Sequence, residues 1–354
     1  MKKYKICKIL LVILAIFLCV AFYELLGICV AYKKQPEVSN TTKKETKNGS
    51  WNECSENTER AVIIEKNPEA LLQRVRLIKN AKKEIILSTF AFQSDESGKL
   101  ILGALHDAAD RGVHVRLLVD GMESWVDMEG NPYFYGLSSH ENVEIKLYNK
   151  ANPLKPWKMM GRMHDKYLIA DGKRYILGGR NTYNYFLGDF PGHKNYDRDV
   201  LVVCDEPEKE NSVNQLLEYF ETIWEQEDSG YFHDNKKLAN RQSVKNAVLE
   251  LQNGYQKYFE ENKERICDTD YTDETFETEK IALVSNPIHT GPKEPVVWYQ
   301  LGELMKNAKE RVKIHTPYII CNDMMYNTWK EIAERVPDFS IMTNSVANNG
   351  NPFG

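Results

Sequence analysis

A layered α/β fold, with a sheet held between helices, is what this 354-residue chain predicts. Three observations predict it. Two stretches far apart in the chain read alike, each as the end of an amphipathic helix followed by a strand. Each is followed by another helix and another strand. Between them lies a segment with the pattern of two short paired strands. Repeated strand–helix–strand units imply a sheet covered by helices.

The first copy is LIKNAKKEIILSTFAF, from Leu77, and the second is LMKNAKERVKIHTPYI, from Leu304. Leu77, Ile78 and Ala81 take the inward places that Leu304, Met305 and Ala308 take in the second. KLILGALHDAADRG and VHVRLLVDG come after the first copy; MMYNTWKEIAERV and FSIMTNS come after the second. The shared KNAK and the matching order favour duplication over chance likeness of amphipathic helices. Lys79 to Lys306 is an offset of 227 and Asp120 to Asn344 one of 224, so any element beyond Asp120 is expected again about 225 residues later.

The elements are expected in this order. Residues 1–34 form an anchor. The run from Ile9 to Tyr32 is nearly all apolar, and about 24 residues at 1.5 Å each reach roughly 36 Å, enough to cross a bilayer core. Lys2, Lys3, Lys5 and Lys8 precede it, and no small-residue cleavage site ends it, which favours an uncleaved span over a signal peptide. Glu24, near one end, can snorkel to the interface. Lysines before the span place the N-terminus in the cytoplasm and the soluble part outside it, although Lys33, Lys34, Lys43 and Lys44 oppose that bias. Residues 35–58 are polar and read as a flexible tether. Residues 59–275 form the first repeat and 276–354 part of a second. Helices between about Asn211 and Lys263 cover and connect, with Leu216, Leu217, Phe220, Ile223 and Trp224 at core spacing.

Composition narrows the function. With 42% hydrophobic and 27% charged residues the chain is ordinarily globular. A formal charge of −5 argues against a broad basic surface, so nucleic acid is not the expected partner. Seven cysteines show no CxxC and no zinc spacing. No metal or cofactor is expected, and nothing in the sequence supports a Cys54–Cys267 disulfide.

The chemistry lies in GRMHDKYLIADGKRYILGGRN. Tyr167 to Ala170 and Tyr175 to Leu177 read as two strands around a turn at Asp171-Gly172. His164 and Lys166 alternate with Asp165 and share one face of a strand. Gly178-Gly179 lets the backbone turn tightly and brings Asn181 close. Imidazole can attack phosphorus, and ammonium and amide donors can hold the oxygens on which charge builds. His164, Lys166, Asp171, Gly178, Gly179 and Asn181 stand at H-x-K-x4-D followed by G-G-x-N. In this the chain resembles the phospholipase D superfamily, and IILSTFAF, VRLLVDG, DRDVLVV and EYFETIWEQ resemble its bacterial cardiolipin synthase branch.

The resemblance implies that His164 forms a phosphohistidine intermediate. Lys166, Gly179 and Asn181 would bind the phosphate. Asp171 is counted with the catalytic motif, although its part there is largely structural. Asp199 would orient the histidine, with Asp197 as fallback. Such enzymes normally use two motifs, and the offset puts the second histidine near residue 389, beyond Gly354. His315 lies before the last strand of its copy and is not that histidine. The front of a longer enzyme, a truncated product and a site completed across a dimer all fit this. The loop NPLKPWKMMGRM, before His164, carries Trp157 among Lys155, Lys158 and Arg162, which suits a lipid surface. A phosphatidyltransferase acting on a membrane phospholipid is therefore expected. A membrane-attached nuclease is the other enzymatic reading, and a non-enzymatic half-site the third.

Overall fold

The computed structural model describes residues 2–49, 59–204, 206, 211–233 and 235–345. Cys54, and with it the pairing to Cys267, lies outside the described residues. The chain divides into two compact units. The first holds residues 1–33, 54–283 and 288–291; the second holds 34–53, 284–287 and 292–354.

The first unit is built on a nine-stranded sheet. Its strands are β1 (Glu59–Ile64), β2 (Glu84–Thr89), β3 (His114–Asp120), β4 (Val143–Tyr148), β5 (Tyr167–Ala170), β6 (Arg174–Gly178), β7 (Asp199–Cys204), β8 (Ser229–Tyr231) and β9 (Phe276–Glu277). They lie in the order β8-β4-β3-β2-β5-β6-β7-β1-β9. β2, β3 and β4 run parallel, and the remaining neighbours are antiparallel. The helices of this unit are α1 (Lys2–Tyr32), α3 (Asn67–Asn80), α4 (Glu96–Asp110), α5 (Gly121–Asp127), α6 (Pro132–Ser138), α7 (Ser212–Trp224), α8 (Gln242–Glu261) and α9 (Lys263–Cys267).

Strand alternation sorts the core into two layers. Ile85 and Leu87 point to one face, where they pack with Val75, Leu102, Leu105 and Leu251 of α3, α4 and α8. Ile86 points to the other, with Val202 and with Leu216, Phe220, Ile223 and Trp224 of α7. Each such buried side chain contributes about 1.5–3 kcal/mol. Helix starts follow their capping residues: Asp95 accepts the N–H of Gly98 for α4, and Asn211 that of Asn214 for α7. α8 is a structural layer of this unit rather than a free connector, because Val244, Ala247, Leu251, Tyr255 and Phe259 are buried along one face.

The second unit contains α2 (Asn40–Asn48), α10 (Val296–Lys306), β10 (Arg311–His315), α11 (Asp323–Arg335) and β11 (Asp338–Met342). Within it β10 and β11 are parallel, with Arg311 opposite Asp338. In the first copy β2 and β3 are parallel, with Glu84 opposite His114. The offsets of these paired residues are again 227 and 224, so the two copies share one register. Val312, Ile332 and Val336 form a small core with Met305 and Ala308 against it. Leu304, expected inward, is exposed, because α10 turns its Met305 side to that core. The expected tether is not uniform either. Its residues 40–48 form α2, since Ser39 caps the helix and Thr42 and Thr46 are buried. Ser39 N–H and Thr42 Oγ1 both donate to Glu294 Oε1.

Candidate active site

One end of the nine-stranded sheet gathers the site. β2 and β3 finish there with Thr89 and Asp120, β6 finishes with Gly178, and β7 begins with Asp199. The residues leading into β5 arrive at the same end, and Lys166 O accepts the N–H of Gly178. That pairing extends the β5–β6 hairpin by one residue and fixes the facing of His164 and Lys166. Asp165 points the other way, where its carboxylate accepts the hydroxyl of Tyr219 at 2.8 Å.

Phe90 lies at the centre. Its ring meets the His164 ring edge-on, with centroids 4.6 Å apart. Arg162 lies 5.0 Å and Lys166 5.2 Å from its centroid, within cation–π range. Loss of water holds the His164 imidazole below its ordinary pKa of 6.5, and the cations Lys166 and Arg162 push it the same way. His164 is nonetheless exposed to solvent, and among the described residues its ring makes no hydrogen bond. A neutral ring open to an incoming group is a competent nucleophile.

Lys166 is buried and donates to His164 O at 2.5 Å. Desolvation lowers its pKa to about 8, opposed by Asp165, Asp197 and Asp120. Asn181 is buried too; its Oδ1 accepts the N–H of Ala91 at 3.3 Å. The neighbouring Thr182 continues the contact, bridging Phe92 and accepting the N–H of Gln93. Residues 89–93 and 181–182 thus form one seam along the site.

The glycine turn is dictated by two acids. A Cβ on Gly178 would run into the Asp199 carboxylate, and one on Gly179 into that of Asp197. Asp197 faces the glycine turn, and its charge acts on Lys166 and Arg180.

Asp120, which in the sequence only marks the repeat, clamps the approach to His164. Its Oδ1 accepts from Met122 and Glu123 N–H and from Arg162 Nε, and its Oδ2 from Met163 N–H. Glu123 takes Arg162 Nη2 at 3.0 Å. Nothing in the sequence singles out Phe90 or Asp120 as a site residue, and Arg162 is noticed there only as a basic residue of the loop before His164. Phe90 reads there as part of a strand, which in fact ends at Thr89. Arg162 stands two residues before the histidine, and that closeness is the signal that could have found it.

Asp171 lies elsewhere, and Asp199, at the site end of the sheet, is held by buried cations. Asp171 sits at the far end of β5, four strand residues from Lys166. Its carboxylate accepts the backbone N–H groups of Lys82, Lys83 and Glu84. It adopts a left-handed φ of 55°, and Gly172 follows at 62°, so it holds a turn and a strand start. Asp199 is buried in an ion cluster, 2.9 Å from Arg74 Nη1 and 3.3 Å from Arg180 Nη1. Its Oδ2 faces Arg74 of α3, and its Oδ1 lies beside the glycine turn at Gly178. Arg180 also donates to Asn67 Oδ1, Ile64 O and Glu65 O. Among the described residues no group of histidine, cysteine and carboxylate side chains is arranged to hold a metal ion.

Known proteins are similar to the segment that holds these residues. The family described as cardiolipin synthase, PLD-like domain, matches residues 74–224, which include His164, Lys166 and Asn181. That part of the chain belongs to the phospholipase D superfamily. An uncharacterized Helicobacter pylori protein is 28% identical over 316 residues, covering 81% of this chain and 60% of that protein. Cardiolipin synthase C of Escherichia coli is 29% identical over 171 residues, covering 44% of this chain and 34% of the synthase. The chain thus spans about 60% or less of the length of these curated relatives. The solved structure of phosphatidylserine synthase from Haemophilus influenzae superposes with a TM-score of 0.55 at 15% identity, over 86% of this chain and 66% of the synthase. That likeness shows a shared phospholipase D-like fold. Members of the superfamily act on phosphodiesters.

Proposed function

We propose that the protein is a membrane-anchored phosphatidyltransferase of the phospholipase D type, acting through a phosphohistidine at His164. The observation that carries this reading is a solvent-open, neutral imidazole flanked by Lys166 and Arg162 at a glycine turn. An imidazole nitrogen attacks phosphorus, and the bond from phosphorus to the leaving alcohol oxygen breaks. Lys166, the backbone at Gly179 and the amide of Asn181 take the phosphate oxygens as charge builds on them. The leaving oxygen takes a proton from a general acid, the part the family gives to the histidine of a second motif. An acceptor alcohol then displaces the histidine and restores it. Asp199, with Asp197 as fallback, is the carboxylate proposed to orient the imidazole and to steady the charge that forms on it.

A phospholipid substrate fits the setting. α1 is apolar enough to cross a membrane over Ile6–Tyr32, and cardiolipin synthase C is similar to 44% of this chain. We therefore propose cardiolipin formation from phosphatidylglycerol, with α1 as the anchor and the rest of the chain outside the cytoplasm. The test is lipid extraction from cells expressing the natural gene, its His164→Ala variant or neither. Cardiolipin that rises with the gene and not with the variant supports the reading. Unchanged lipids together with nicked DNA would replace it with a nuclease. Protease added to intact cells checks the side: full protection of the folded units would place them in the cytoplasm.

A further inference from the structure

α1 and the loop before His164 meet at a depth that matters. The half-buried residues in the last part of α1 are Ala21, Glu24, Gly27, Ile28, Ala31 and Tyr32, a single helical stripe. Above this stripe the loop turns through a 3-10 segment, Pro156–Lys158. Tyr23 OH donates to Leu154 O at 3.0 Å. Gly27 lies so close to Pro156 that an added Cβ would meet its ring.

The apolar span has 27 residues, about 40 Å of helix, while a bilayer core is about 30 Å thick. A centred span therefore leaves about 5 Å in the headgroup layer at each end. Gly27 stands five residues, about 8 Å, before Tyr32, and Tyr23 nine residues, about 13 Å. The backbone at Gly27 thus lies about 3 Å, and that at Tyr23 about 8 Å, inside the hydrocarbon boundary.

The loop exposes apolar groups at that level. Leu154 is 78%, Met160 58% and Trp157 45% exposed. The loop is also braced. Asn149 Nδ2 donates to Lys158 O and Gly161 O, and Lys158 pairs with Asp228 at 2.6 Å. Its apolar side chains are held outward by a fixed backbone, against the cost of hydrating them.

We propose that residues 154–160 are a membrane-inserted loop. Leu154, Trp157 and Met160 enter the interfacial layer of the bilayer that α1 crosses, and the exposed Lys155 meets lipid phosphates there. His164, four residues beyond Met160, then opens at headgroup level, so a two-chain lipid presents its phosphodiester without leaving the membrane. This rests on the reading of α1 as a membrane anchor and is independent of the chemistry proposed for His164.

A photoreactive benzophenone amino acid placed at Trp157 or Met160 tests it. The full chain, carrying His164→Ala, is reconstituted in vesicles of phosphatidylethanolamine and phosphatidylglycerol and irradiated. The control position is Leu249 on α8, 57% exposed. Phospholipid adducts at 157 and 160 at least fivefold above those at 249 are expected. Equal yields at all three positions, or adducts to a second copy of the chain in place of lipid, would overturn the proposal. The unsubstituted chain supplies a second measurement, labelling by a diazirine dissolved in the bilayer: the peptide holding residues 154–160 is expected to be labelled, and its absence among labelled peptides counts against insertion. Because the histidine is absent from the crosslinked protein, lipid adducts without lipid turnover by the natural enzyme would keep the loop and discard the transferase.

Discussion

At the residue scale, charge and water are set against each other around Phe90. His164 is held below its usual pKa chiefly by lost hydration, and Lys166 is lowered to about 8 for the same reason. The two shifts fix opposite limbs of a pH profile. Turnover is expected to rise as pH climbs through the His164 value, which lies below 6.5, and to fall above about 8 as Lys166 loses its proton. Phe90→Ala readmits water to the imidazole, so the acid limb should move toward higher pH; an unmoved limb would deny Phe90 that role. Lys166 also carries a stability consequence. Its folded pKa lies below its unfolded one, so the charged form is disfavoured by folding. The cost is full below pH 8 and disappears as pH rises toward 10.5. Lys166→Met is therefore expected to stabilise the protein at pH 7 by roughly 1–3 kcal/mol while abolishing turnover, as read by urea midpoints and lipid assays.

At the scale of elements, the β5–β6 hairpin divides the motif between chemistry at one end and construction at the other. Asp171→Ala leaves three backbone N–H groups at the start of β2 without their acceptor and is expected to cost about 1–3 kcal/mol. Turnover per folded molecule should be kept. Asp199→Asn leaves Arg74 and Arg180 buried beside a neutral amide, and a loss of about 3–5 kcal/mol is expected. Denaturation midpoints of the two variants check both, and loss of turnover in fully folded Asp171→Ala would return that residue to the catalytic set. The hairpin was legible in the sequence because its residues are contiguous and its turn is signalled by Asp171-Gly172. The choice between Asp197 and Asp199 was not. It turns on Arg74 waiting for Asp199 in α3, a partner 125 residues away that no local spacing announces. Phe90 escaped notice for a related reason: where β2 stops is decided by its pairing with β3 and β5, not by the apolar run that continues past Thr89.

At the scale of the whole molecule, the repeat was the most legible feature. Its offsets of 227 and 224 reappear as the register of two parallel strand pairs, since a β–α–β unit fixes element lengths closely. Less was visible in the polar segment after α1, where capping by Ser39 and burial of Thr42 and Thr46 make a helix from a composition that reads as unstructured. The site itself is assembled within the first unit, from strand ends that only the sheet order brings together. The central claim is covalent attachment at His164, and the most direct test is to trap it. The protein from its natural gene would be mixed with phosphatidylglycerol labelled at phosphorus, quenched in alkali and digested for mass spectrometry. The account predicts a phosphatidyl or phosphoryl group on the peptide containing His164, absent from His164→Ala. Lipid turnover without any such adduct, or an adduct that survives His164→Ala, would contradict it.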